Sequence, residues 1–263
     1  MTFSPASPNV YEIHLSALYI TIPFKTSHAA TLTAPPLTPA AHNNTNYLVI
    51  VIDHLNTLRF YLPYCNTPLP TGTSGWMTKM NLLVTTPSPP LSPPNPALPG
   101  YQILSLDFER GASGYVKKLG ALATQKVPSH SGVTYTTNAT PGSTGEDVSQ
   151  YNMTMSSGGS TLVDIKGTTR PLQPADESLA AFVIDRPHKF LLQNKSRVAW
   201  SPWGAGHSST LTGVRVVEPT LVNVDGILDR NGEGLRESLD LEKVTVFWQP
   251  KYTLIDLHNT VIG

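Results

Sequence analysis

Ala17–Phe24 reads ALYITIPF, and Asn46–Ile52 reads NYLVIVI. Each run is short, rich in β-branched and aromatic residues and bounded by turn formers, the pattern of a β-strand. Working outward, Leu58–Tyr64 (LRFYLPY), Trp76–Thr86 (WMTKMNLLVTT) and Tyr101–Phe108 (YQILSLDF) repeat it. Leu162–Lys166, Ala180–Ile184, Lys189–Leu192, Thr210–Val217 and Leu221–Val224 are further strand candidates. Val244–His258 (VTVFWQPKYTLIDLH) ends the chain as two strand-like pieces hinged at Pro250. The best helix candidate is Gly226–Leu239, interrupted by Asn231–Gly234 (NGEG). Thr71–Gly75 suits a hairpin loop, and Asn138–Gln150 a polar loop between two further hairpins. Many short strands with few helices predict a mostly β fold, an antiparallel sandwich or a barrel-like closed sheet.

The composition agrees. Of 263 residues only 14% are charged, against roughly 25% in an ordinary soluble protein. Thr, Ser, Asn, Pro and Gly fill the difference, and these are poor helix formers. The chain suits a single domain, 1–263, with the proline-rich stretch at 86–99 as a surface loop, because proline cannot donate to a strand ladder. A formal net charge of zero removes the electrostatic footprint of a nucleic-acid partner. No apolar run approaches the roughly 20 residues that span a bilayer, so no membrane partner is expected. A lone Cys65 forms no internal disulfide, and Met1–Asn9 has no basic residue, so a cytoplasmic protein is expected.

Standard motifs are mostly absent. The histidines at 14, 28, 42, 54, 130, 188, 207 and 258 form no i, i+4 pair and no H-x-H pair, so no metal site is expected. Gly111-Ala-Ser-Gly114 does not complete a nucleophile elbow. Gly204-Ala-Gly206 lacks the third glycine of a dinucleotide fingerprint, so no cofactor is expected.

The sharper feature is Ser113-Gly-Tyr115-Val-Lys117-Lys118-Leu-Gly120. Two adjacent lysines are usually a solvated pair. These follow an apolar strand and lie among Tyr115, Val116, Leu119, Ala121 and Leu122. An amine beside a second ammonium in a poorly solvated setting loses its proton more readily and becomes a nucleophile at neutral pH.

The segment Glu109–Gly120, ERGASGYVKKLG, resembles the catalytic run of the acetoacetate decarboxylase family, with Arg110, Tyr115, Lys117, Lys118, Leu119 and Gly120 on matching positions. The resemblance implies that Lys117 is the Schiff-base lysine and Lys118 its pKa-lowering neighbour. Tyr115 would line the pocket or relay a proton, and Arg110 would anchor the segment or an anionic substrate. Weaker similarity covers Ala34-Pro-Pro-Leu37 with the strand after it, Gly213–Asp225 and Gln249–His258. It implies antiparallel sheets closed around an apolar pocket, in a homo-oligomer. Val116 stands where the family has proline, and Gly111 where it has glutamate. Residues 1–106 carry only Glu12 and Asp53 as acids, and nothing before Lys25 is basic, so the family's N-terminal arginine and two glutamates have no counterpart. His14 and Asp53 are the candidates to replace them in binding substrate, Asp53 sharing strand parity with Val49 and Val51.

Together these features point to a cofactor-independent Schiff-base lyase, decarboxylase-like, acting on a hydrophobic carbonyl or β-keto-acid metabolite of secondary metabolism. Aldolase, dehydratase or isomerase chemistry would use the same iminium. A non-catalytic β-rich binding protein or viral capsid or surface subunit is the alternative from another class.

Overall fold

The computed structural model describes residues 10–35, 37–61, 69–70, 75–85, 99–109, 128–140, 150–184, 188–194, 197–202, 211–231, 234–256 and 260–261. In chain order the strands are β1 (Val10–Pro23), β2 (Thr38–Pro39), β3 (Ala41–His42), β4 (Thr45–Tyr61), β5 (Leu69–Pro70), β6 (Gly75–Thr85), β7 (Pro99–Glu109) and β8 (Ser129–Thr140). They continue as β9 (Gln150–Ser157), β10 (Ser160–Pro171), β11 (His188–Asn194), β12 (Arg197–Pro202), β13 (Arg215–Asn223), β14 (Thr245–Asp256) and β15 (Thr260–Val261).

Pairing runs β7-β8-β9-β10-β13-β14-β1-β4-β6, and β6 pairs back onto β7. Nine strands therefore close into a barrel, which removes the open edges a flat sheet would expose. β11, β12 and β15 continue outward from β7 as a side sheet.

The runs ALYITIPF and NYLVIVI are apolar without interruption because their strands are buried on both faces. Leu18, Ile20 and Ile22 of β1 oppose Ile52, Ile50 and Leu48 of β4 and fill the barrel with Met80, Leu82, Met153, Met155, Val163 and Ile165. The alternate residues Ala17, Tyr19, Val49, Val51 and Phe247 point outward and are covered by Ala180, Val183 and Ile184 of the helix Pro174–Ile184. β9 buries Tyr151, Met153 and Met155 while the residues between them are only partly buried, so its Thr and Asn fit a one-sided strand. The low charge of the first part of the chain thus follows from two-sided burial. One end of the barrel, where Phe24 bridges to Leu239, is plugged by Ile227, Leu228, Leu235 and Leu239.

Several expectations are corrected. Ala180–Ile184 is the last part of a helix, not a strand. Pro174 opens that helix with Asp176 and Glu177 in its first turn, and its buried residues recur at helical spacing. Leu58–Tyr61 is the end of β4 rather than the start of a new strand; the chain passes through a bulge beside His14 and Leu15. Of Thr210–Val217 and Leu221–Val224, residues 215–217 and 221–223 belong to one continuous strand, β13, whereas Leu211–Gly213 form a turn and Thr210 lies outside the described residues. Val244–His258 yields one strand through Pro250, with an irregularity in its pairing to β1 at Leu15 and Ala17 that accommodates the missing N–H. The expected helix Gly226–Leu239 is a short helix, Asp225–Arg230, and a separate 3-10 turn, Arg236–Ser238. The expected mostly β closed barrel is present; within it the β7–β8 pairing is parallel, and β7 also pairs in parallel with β11 of the side sheet. Parallel neighbours cannot be joined by a tight hairpin, and 19 residues separate the end of β7 at Glu109 from the start of β8 at Ser129. The proline-rich stretch lies outside the described residues up to 98, and Pro99 begins β7.

Candidate active site

At the barrel end opposite the plug is a cavity of about 190 Å3. Leu18 and Ile52 form its apolar floor, with Trp76, Tyr151, Trp248 and His54 around them and Ser16, Thr137 and Pro250 toward the opening. The local cause is strand parity. Ile50, Ile52 and His54 alternate along β4, so the face that fills the core at Ile50 reaches the mouth of the barrel at His54. His54 is register partner to Trp76 on β6 and to Ser16 on β1, which brings three wall residues side by side.

The aromatic groups are ordered. The His54 ring stacks on Trp76 with centroids 4.3 Å apart and 17° between planes. The other neighbour of Trp76 is Tyr135, 5.5 Å away and 11° from parallel. Across the cavity Tyr151 packs against Trp248 at 5.0 Å. Glu109, the last residue of β7, accepts the backbone N–H of Trp76 at 3.0 Å. Burial pushes the His54 imidazole below its ordinary pKa, and the charge on Glu109 opposes that shift. Burial also pushes the Tyr135 and Tyr151 phenols well above the usual range, so both stay protonated.

Beneath the stack lies a buried polar group. Tyr135 Oη lies 3.0 Å from Thr78 Oγ1 and donates to the backbone carbonyl of Asp107 at 3.4 Å. Asp107 is fully buried, and its Oδ1 accepts a 2.9 Å bond from Arg230 Nη1. His130 Nδ1 is 3.2 Å from the same oxygen without hydrogen-bond alignment. Burial raises the Asp107 carboxyl pKa, and His130 and Arg230 oppose the rise.

The residues singled out in the sequence are distributed unevenly. Arg110, Tyr115, Lys117 and Lys118 lie outside the described residues, in the connection that leaves Glu109 and returns at Pro128. His14 is in β1, in register with Thr57 and Thr253. Asp53 is described: it follows Val49 and Val51 on the outward face, is buried, and forms an ion pair with Lys79. Asp53 and its sequence neighbour His54 therefore face opposite sides of the same sheet.

His54, Trp76, Glu109, Tyr135, Tyr151 and Trp248 were not among the residues singled out as candidates. The available signal was the alternation Ile50-x-Ile52-x-His54, which sets His54 on a core-facing row. Among the described residues there is no cluster of three or more metal-ligating side chains. No described helix is long and apolar enough to cross a membrane.

No family model matches the sequence, and no curated protein resembles it in sequence. Solved structures do resemble it. An acetoacetate decarboxylase-like enzyme from Sphingomonas wittichii RW1 aligns with a TM-score of 0.59 and 12% identity, covering 99% of this chain and 94% of the other. Acetoacetate decarboxylase from Legionella pneumophila aligns at 0.58 with 11% identity, covering 100% and 90%. The enduracididine biosynthesis enzyme MppR, complexed with the condensation product of pyruvate and imidazole 4-carboxaldehyde, aligns at 0.55 with 13% identity, covering 98% and 90%. The chain thus has the fold of the acetoacetate decarboxylase-like proteins, in a strongly divergent sequence.

Proposed function

We propose that this protein is a Schiff-base lyase of the acetoacetate decarboxylase superfamily, with Lys117 as the nucleophile. The observation that carries the proposal is the conjunction of that barrel fold with ERGASGYVKKLG, which begins at Glu109 beside the aromatic cavity. Lys117 Nζ adds to a substrate carbonyl, and loss of water leaves an iminium. Cleavage of an adjacent C–C bond sends its electron pair into the iminium, giving an enamine and, from a β-keto acid, CO2. Protonation at carbon and hydrolysis then release product and free the lysine. Lys118 lowers the pKa of Lys117, Tyr115 lines the pocket or relays a proton, and Arg110 anchors the lysine segment or an anionic substrate. The wall of Leu18, Ile52, Trp76 and Trp248 suits a hydrophobic carbonyl compound of modest size.

A second reading uses the same iminium in aldol or dehydration chemistry. The likeness to MppR, complexed with a pyruvate condensation product, favours it, as does the aromatic, largely uncharged described wall. In either reading the protein works in the cytoplasm as a homo-oligomer of single-domain subunits, with no cofactor. Competitive acylation at neutral pH tests the lysine assignment. Lys117 should react ahead of the other lysines, and Lys118→Ala should abolish that advantage. Uniform reactivity of all lysines together with large assemblies would favour the structural alternative.

A further inference from the structure

We propose that His54 is the proton-transfer residue of this site, taking and returning the hydrogen on the carbon next to the iminium. The proposal rests on the Schiff-base reading above and adds a catalytic residue to it.

Position is the first argument. His54 is in the wall of the cavity, on the β4 row that supplies its floor through Ile52. Orientation is the second. Stacking on Trp76 fixes the imidazole plane, and Trp76 is itself held by Tyr135 on one side and by Glu109 at its backbone N–H. Neither imidazole nitrogen forms a hydrogen bond with a described residue, so the stack fixes the ring while leaving its basic atom available to a ligand. Competition is the third. The other polar groups of the described wall are the hydroxyls of Ser16 and Thr137, the Tyr151 phenol and the indole N–H groups of Trp76 and Trp248, none of them a base near neutral pH.

Charge also fits. Burial favours neutral imidazole before the reaction, the form able to accept a proton. The carboxylate of Glu109 stabilises the imidazolium once it forms. The step balances without another reactant. The C–H bond breaks, its proton goes to the imidazole, and its electron pair moves into the iminium to give a neutral enamine. The same imidazolium returns a proton to carbon, and hydrolysis restores the ketone and the lysine amine. With a ketone that has no leaving carboxylate, the cycle appears as exchange of α-hydrogen for solvent hydrogen.

The experiment follows deuterium incorporation into butanone and cyclohexanone in D2O, with borohydride trapping at Lys117 run in parallel. The proteins are wild type, His54→Gln and His54→Phe, the last retaining a ring to stack on Trp76. Near-ultraviolet circular dichroism checks that each variant is folded. Wild type should exchange both ketones, and both variants should lose about 100-fold or more in exchange rate while trapping as much adduct. Exchange in both variants within a few-fold of wild type, with adduct intact, would overturn the role of His54 and leave the lysine mechanism standing. No adduct and no exchange with wild type would overturn both.

Discussion

The buried ion pair between Lys79 and Asp53 gives the most exacting test of how the barrel is assembled. Their side chains are only 6% and 3% exposed, so solvent screening is weak. They lie on the outward face, continuing the row of Val49 and Val51 rather than the cavity row of Ile52 and His54. Replacing Lys79 by Met keeps the stem's apolar volume but removes the ammonium that faces the buried Asp53 carboxylate. Breaking a buried pair from one side costs about 3–5 kcal/mol. For a chain of this size each kcal/mol shifts the melting temperature by roughly 2–4 °C, so a fall of about 6–20 °C is expected. Replacing both members, as Asp53→Leu with Lys79→Met, removes the carboxylate too and should recover most of the loss. Thermal and urea unfolding followed by tryptophan fluorescence and circular dichroism measure both effects. The double variant should also retain catalytic turnover, because Asp53 faces away from the cavity. A Lys79→Met protein melting within about 2 °C of wild type would refute the energetic argument. A stable double variant without turnover would refute the separation of Asp53 from the site.

Two further tests concern the elements that frame the barrel. A Cβ on Gly226 would lie 2.4 Å from the Thr161 carbonyl oxygen and 2.9 Å from Leu162 Cα, both backbone atoms. Gly226→Ala should therefore force the plug helix Asp225–Arg230 off β10 and cost about 1–3 kcal/mol in urea unfolding, whereas an unchanged midpoint would contradict that packing. Asp176 accepts bonds from both Arg170 terminal nitrogens and from the Gln173 N–H, which hold its carboxyl below its ordinary 3.8. A depressed folded pKa stabilises the protein above 3.8 and loses that contribution as pH falls through the folded value. Wild type should thus be more stable than Asp176→Asn at neutral pH and lose the difference in acid; a difference independent of pH would refute the assignment.

The strands of the barrel were legible because two-sided burial leaves long apolar runs, as in ALYITIPF and NYLVIVI. That same feature hid the site. With Val49 and Val51 as apolar as Ile50 and Ile52, parity could not decide whether Asp53 or His54 faced inward. Pairing settled it, since the row containing His54 meets Met153 and Met155 from the far wall and the row containing Asp53 meets a helix. The helix Pro174–Ile184 was missed because AAFVI is as plausible in a strand, although Pro174, Asp176 and Glu177 mark a helix start. The parallel pairing of β7 with β8 joins strands distant in sequence, which local composition does not encode. Lys117 and Lys118 lie outside the described residues, and their candidacy rests on motif and chemistry.

The central claim is that Lys117 forms a covalent iminium with a ketone, and reductive trapping addresses it directly. The protein is incubated with a panel of apolar ketones and β-keto acids, reduced with borohydride, and its intact mass and peptide map are recorded. One reduced adduct per chain is expected, confined to Lys117, retained in His54→Gln and absent in Lys117→Ala. An adduct elsewhere, or turnover that persists in Lys117→Ala, would contradict it.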